Sequence, residues 1–170
     1  KFDALLRLLI VEDLSSALIF ARTKAGTQEL ADDLVRNGFS AVALHGDLNQ
    51  AMREQVMGKF KQHAVTLLVA TDVAARGLDI AQLEAVINVD VTPDPEVHIH
   101  RIGRTGRAGA LGEAISLVAP DEMEKLTLVR KLTKAQLSIE IPIGYEPILL
   151  DFPRDLISKA QMVRLPRGRS

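Results

Sequence analysis

The sequence predicts a doubly wound α/β domain: a parallel sheet of five or six strands with helices on both faces. Three observations carry that expectation. Short, nearly continuous apolar runs recur at Ala17–Phe20, Ala41–Leu44, Val65–Ala70, Ala85–Val89 and Ala114–Val118, which is how strands buried on both faces of a parallel sheet read. Segments with helical spacing separate those runs, and strand alternating with helix is the pattern of this layered architecture. Hydrophobic residues make up 47% of the 170 residues, enough for one domain with a substantial core.

The elements follow in order. Residues 1–14 have the spacing of a helix. After the first strand, Thr23 can cap a helix running to about Asn37, with Leu30, Leu34 and Val35 inward and Gly38 as its stop. Asn49 can cap the next helix, where Met52, Val56 and Phe60 recur at spacing four. The strand Val65–Ala70 runs into Thr71, Asp72 and a short alanine-rich turn. Pro95 to about Arg101 reads as a short helix, and Pro120-Asp121 starts a last one, Glu122 to about Lys134. In it, Asp121 with Glu124 three residues later has the spacing of a capping box. Residues 136–153 carry three prolines and read as an extended finish. The end, Arg164 to Ser170, is basic: either the start of a tail that touches a polyanion or a boundary with no function of its own. The expected organisation is thus an entry helix over 1–15, the domain over 16–135, and an extended C-terminal segment with a basic end over 136–170.

Composition narrows the classes. No apolar run approaches the roughly 20 residues of a membrane helix. The chain has no cysteine, so disulfides and thiolate metal sites are excluded. It opens at Lys1 without an initiator Met or signal-peptide pattern, as expected of an excised fragment, and the lack of cysteine allows the cytoplasmic location expected for it. A net charge of −1 argues against a general polyanion-binding surface, so any nucleic-acid contact should be a local patch.

Two stretches carry chemistry. His100-Arg101-Ile102-Gly103-Arg104-Thr105-Gly106-Arg107 packs three arginines and two glycines into eight residues. The glycines disfavour a long helix and let backbone approach a ligand. Planar, permanently charged guanidinium groups on such a scaffold suit a polyphosphate; the plainer alternative is a solvated basic turn. Upstream, Thr71 to Asp79 follows directly on a strand, and in open α/β sheets ligands sit beyond the carboxyl ends of strands.

With Leu44-His45-Gly46-Asp47-Leu48-x-Gln50-x-x-Arg53 and Ala17-Leu18-Ile19-Phe20 leading to Thr23-Lys24, these motifs stand in an order that resembles the C-terminal RecA-like domain of a DEAD-box RNA helicase, a superfamily 2 enzyme. The resemblance covers roughly residues 16–135, and the phrase Ala81 to Asp90 is similar to bacterial members. It implies ATP in a cleft between this domain and an N-terminal RecA-like domain that holds most of the Mg²⁺ ligands. It implies arginine fingers at Arg104 and Arg107, nucleotide-side positions at Gly77 and Asp79, and a link between the cleft and the RNA side at His100 and Arg101. For Asp79 the alternative is a turn cap, and for His100 a structural histidine. For RNA it implies Arg22, Thr23, Gly46, Gln50, Arg53 and Thr71. Arg22 departs from the family, which usually has asparagine there; an arginine still reaches phosphate. Arg53 could instead pair along its helix surface.

What is missing matters equally. No G-x-x-x-x-G-K-[ST] loop is present, since Gly58-Lys59 is followed by Phe60, and there is no Asp-Glu-Ala-Asp tetrad. The fragment alone is therefore expected to be catalytically silent. His98 and His100 lack a third ligand, so no metal site is expected. Aromatic residues are only 4%, which disfavours base stacking and supports sequence-independent backbone contacts. Two alternatives remain: an RNA-binding module without ATPase activity, and half of a DNA-directed helicase of the same superfamily. No oligomer is implied for the fragment.

Overall fold

A parallel sheet of five strands, ordered β2-β3-β1-β4-β5, forms the body of the computed structural model. The structure describes residues 1–80, 83–105 and 112–133, together with the backbone of two strands at 138–140 and 161–164. The parallel strands are β1 (Ala17–Phe20), β2 (Ala41–Leu44), β3 (Leu67–Ala70), β4 (Ala85–Asn88) and β5 (Glu113–Val118). Each coincides with an expected apolar run to within two residues. Beyond β5 the sheet continues with β7 (Gln161–Arg164) and then β6 (Ser138–Glu140), both antiparallel to their neighbours. The sequence marks that edge only as an extended finish, because short antiparallel segments without a long apolar run leave little periodic signal.

Alternate residues of each strand enter separate cores, as a two-residue period requires. Ala17, Ile19, Leu67, Val69, Ala85 and Ile87 face one side, where α1 (Phe2–Glu12) and α2 (Lys24–Arg36) cover them with Ala4, Leu5, Leu8, Leu9, Ala31 and Leu34. Leu18, Phe20, Leu44, Leu68, Ala70 and Val86 face the other, against Phe60 of α3 (Gln50–Lys61) and Ala74 and Ala75 of α4 (Asp72–Ala75). The opening helix is thus built into the core. A smaller cluster joins Val91, Val118 and Leu126, the last on α6 (Met123–Thr133).

Local chemistry sets the helix ends. Thr23 Oγ1 accepts from Gly26 N at 3.0 Å, Asn49 Oδ1 from Met52 N at 2.9 Å and Thr71 Oγ1 from Ala74 N at 3.3 Å, each satisfying an otherwise orphaned donor. Gly38, at φ 87°, turns the chain off α2 in a conformation that costs other residues strain. Two expectations need correction. Val35, expected inward, is 52% exposed, because the stripe of α2 that meets the sheet is Thr27, Ala31 and Leu34, and on α3 Met52 is likewise outward, 46% exposed. At the start of the last helix the cap is not Asp121 with Glu124. Instead Glu122, buried after a 3₁₀ turn at Pro120–Glu122, accepts from Ala119 N at 2.9 Å and Val91 N at 3.3 Å and pairs with Lys1.

Candidate functional site

The strand register lines up the carboxyl ends of four neighbouring strands. Leu44 pairs with Ala70, Ala70 with Phe20, and Phe20 with Asn88. The loops that follow therefore start from one rim: Arg22 and Thr23 after β1, His45-Gly46-Asp47 after β2, Thr71 and Asp72 after β3, and Asp90 after β4.

Along the first part of this rim stand the residues expected to touch RNA. Arg22 and Thr23 are exposed, and the Arg22 amide donates to Asp90 Oδ2 at 3.3 Å, so the Arg22 side chain reaches outward from an anchored backbone. Gly46 is exposed beside them. Gln50, at the start of α3, donates from Nε2 to Glu54 Oε1 at 3.0 Å. Arg53 donates from Nη2 to Ala74 O at 3.2 Å, bringing α3 to the end of the turn that Thr71 caps. Arg53 and Thr71 are thus joined through α4, whereas the helix-surface pairing considered for Arg53 is not its described contact. Thr71 is only 7% exposed, since its hydroxyl serves the α4 cap.

On the other side of the rim α5 (Pro95–Ile102) delivers the arginine motif. Asp94 caps it by accepting from Glu96 N at 2.9 Å, and Pro95 occupies the first turn, where its missing N–H is no loss. Arg101 is 3% exposed. Its Nε and Nη2 donate to both Asp72 oxygens at 2.6 Å, and Nη1 donates to Asn88 Oδ1 at 3.3 Å and Asp90 O at 2.9 Å. The guanidinium also lies 5.0 Å from the Phe20 ring centre, within cation–π range. Such a fork-to-fork pair fixes orientation as well as distance. The Arg101 side chain thus joins α5, α4, β4 and β1 inside this domain.

Arg104 differs. It is half-buried, and its one described hydrogen bond runs from Nη1 to Leu78 O at 3.3 Å. With Arg76, His100 and Arg101 it lines a cavity of about 90 Å³ over Phe20, Asp72 and Ala75. His100 is exposed at that wall. Gly77, at φ 70°, makes the turn beyond α4 that leads to exposed Asp79. Arg107 lies outside the described residues. His98 is buried, and its Nδ1 has no hydrogen-bond partner. Burial, with the Arg101 charge adding to it, pushes the His98 imidazole down to about 4, so it is neutral at pH 7. No group of three or more His, Asp or Glu side chains able to hold a metal occurs among the described residues.

Sequence reasoning missed the cage around Arg101. Asn88 was the available signal: a polar residue, 0% exposed, inside an otherwise apolar run.

Comparison with known proteins places this geometry. Residues 1–109 match the family model for the helicase conserved C-terminal domain. The Escherichia coli DEAD-box protein SrmB, solved bound to regulator of ribonuclease activity A, superposes with a TM-score of 0.74 at 36% identity over 77% of each chain. The chain is a DEAD-box helicase C-terminal domain. A DEAD-box ATP-dependent RNA helicase CshA from Geobacillus kaustophilus is 49% identical over 137 residues, 81% of this domain and 29% of that relative. Saccharomyces cerevisiae Dbp5 L327V bound to RNA and ADP BeF3 is 36% identical with a TM-score of 0.71, over 76% of this domain and 35% of that chain. The DEAD-box domain therefore spans under a third of the length of bacterial relatives such as CshA. Its five-stranded parallel sheet is the RecA-like fold expected.

Proposed function

We propose that this domain is the C-terminal half of an ATP-dependent RNA helicase, supplying arginine fingers to ATP in a cleft shared with an N-terminal RecA-like domain and gripping the RNA backbone on its rim. The observation that carries the reading is the state of Arg104. Its one described bond runs to a carbonyl at 3.3 Å, beside an Arg101 whose described bonds are all directed inward. A guanidinium so lightly held can turn onto an anion arriving over the cavity.

The residues present fit a nucleotide phosphate on one side only. Arg76 and Arg104 supply cationic heads, and Gly77 and Asp79 face outward where a ribose or attacking water would lie. Bound ATP supplies the phosphoanhydride that water cleaves; Mg²⁺ falls mainly to the N-terminal domain, which carries the phosphate loop absent here. Arg104, with Arg107, stabilises charge on the transferring γ-phosphoryl oxygens. His100 flanks the same cavity. Arg101 fixes α5 to α4, so that the finger side and the RNA side move as one body.

For RNA, Arg22, Gln50 and Arg53 offer charge and side-chain donors, Thr23 a hydroxyl and Gly46 a bare backbone, contacts that position a strand without reading its bases. Thr71 holds the α4 turn behind them and leaves only a small surface for the strand. Recognition of the 2′-hydroxyl distinguishes RNA from DNA at such a site. No described helix is long and apolar enough to cross a membrane, and we place the helicase in the cytoplasm with this domain monomeric when isolated. The test is an ATPase assay with RNA. The isolated domain should show no RNA-stimulated hydrolysis, and joining it to a matching N-terminal domain should restore it. Robust turnover by the isolated domain would overturn the two-domain reading.

A further inference from the structure

Lys24 opens α2 directly after Thr23, and its aliphatic stem crosses Gly46. A Cβ built on Gly46 would come within 3.2 Å of Lys24 Cε and 3.6 Å of Nζ. Gly46 is not among the residues with positive φ, so backbone conformation does not account for its glycine. Its bare Cα instead leaves room for Lys24 to pass. Beyond it the ammonium donates to Asp47 Oδ1 at 2.7 Å. Both side chains stand in water, 57% and 66% exposed. A pair so wet contributes little and exchanges readily for another acceptor.

The pair is not what holds the two loops in place. His45, buried, contacts Gln28 Oε1 of α2 through Nε2 at 3.1 Å, and its Nδ1 accepts from Asp47 N at 3.4 Å. With Thr71 N also donating to Leu44 O at 3.4 Å, the loop after β2 is pinned from both sides. Lys24 can therefore leave Asp47 while Thr23 and Gly46 keep their positions.

We propose that Lys24 is a further ligand for RNA phosphate, masked by Asp47 until a strand lies across Thr23 and Gly46. The proposal rests on the RNA-face reading given above. A phosphodiester is permanently charged and displays two terminal oxygens, so it competes with a lone carboxylate for the ammonium. Asp47 then becomes a negative group next to the strand, lowering affinity for every sequence alike. The hydrogen bond and charge of Lys24 keep the Asp47 carboxyl below its ordinary range, so the mask is fully ionised at neutral pH. A masked lysine also suits a domain with a net charge of −1: stray polyanions meet a neutral pair, and only a strand seated by the other rim contacts gains the cation.

The experiment uses the full-length helicase carrying this domain, a short oligouridylate and a non-hydrolysable ATP analogue, with dissociation constants measured by fluorescence anisotropy across a salt series. Lys24→Ala should weaken binding and reduce the salt slope by about 0.7, the value for one phosphate on a single strand. Asp47→Asn should tighten binding roughly two- to fivefold, the scale of an exposed ion pair. Most of that gain should disappear when Asp47→Asn is combined with Lys24→Ala. An unchanged slope in Lys24→Ala overturns the proposal, as does weaker binding in Asp47→Asn, which would make Asp47 a contact or a brace. Arg53→Ala is the control. If it weakens binding while Lys24→Ala does not, only this inference fails; if neither changes binding, the RNA-face reading fails with it.

Discussion

Arg101 and Arg104 lie three residues apart in one motif, and the structure uses them in opposite ways. Arg101 is 3% exposed and directs four hydrogen bonds to Asp72, Asn88 and Asp90. Arg104 is half-buried and makes one described bond, to a carbonyl. The same side chain is thus a joint in one place and an available cation in the next. What decides between them is whether carboxylate and amide partners already surround the guanidinium. Residue type and spacing alone do not.

The sharpest way to break that comparison is kinetic. In the full-length helicase, Arg104→Ala should lower kcat by roughly 10³ or more, the scale of an arginine finger, while RNA affinity without nucleotide stays unchanged. Single-turnover hydrolysis and anisotropy measure the two separately. Equal losses in both would make Arg104 an RNA ligand.

Arg101→Ala should show its effect in stability instead. It strands Asp72, which is partly in water, and removes a donor from buried Asn88, so the loss should be about 3–5 kcal/mol, nearer the lower figure. Arg101→Lys should recover only part, because an ammonium cannot serve both Asp72 oxygens and Asn88 together. Denaturant unfolding followed by circular dichroism reads both variants. A loss under 1 kcal/mol in Arg101→Ala would show that the cage is not what holds α5 to α4.

His98 provides the smallest test. Its folded value, about 4, lies below the ordinary 6.5, so the unfolded chain takes up the proton first as pH falls. The native state is therefore fully favoured above pH 6.5 and loses stability down to about 4, by at most about 3 kcal/mol. His98→Leu should flatten that part of the stability profile while leaving the Arg101 cage intact. A profile of unchanged slope would assign the acid sensitivity to other groups.

Much of this was legible in the chain because local rules act at single residues. The five apolar runs became five parallel strands, and Thr23, Asn49 and Gly38 bound their helices as their chemistry requires. The rim could be anticipated, since strand ends carry the polar residues. What could not be read is what depends on the third dimension. Val35 and Met52 have apolar side chains on amphipathic helices yet face water, because the sheet beneath covers only one stripe of each. Glu122 rather than Asp121 enters the cap since Lys1 and Val91, distant in sequence, meet it there. Arg101 looked like its neighbours because Asp72, Asn88 and Asp90 reach it only through the order of the sheet.

The alignment of Leu44, Ala70, Phe20 and Asn88 has a bearing on how such a domain can change over generations. Four loops depart from one baseline, so lengthening a single loop alters one contact and leaves the other three where they were. An insertion within a strand has no such tolerance: it would swap the two cores along that strand, sending Ile19 where Phe20 belongs. Variation in what the domain grips is therefore cheap beyond these four residues and prohibitive before them.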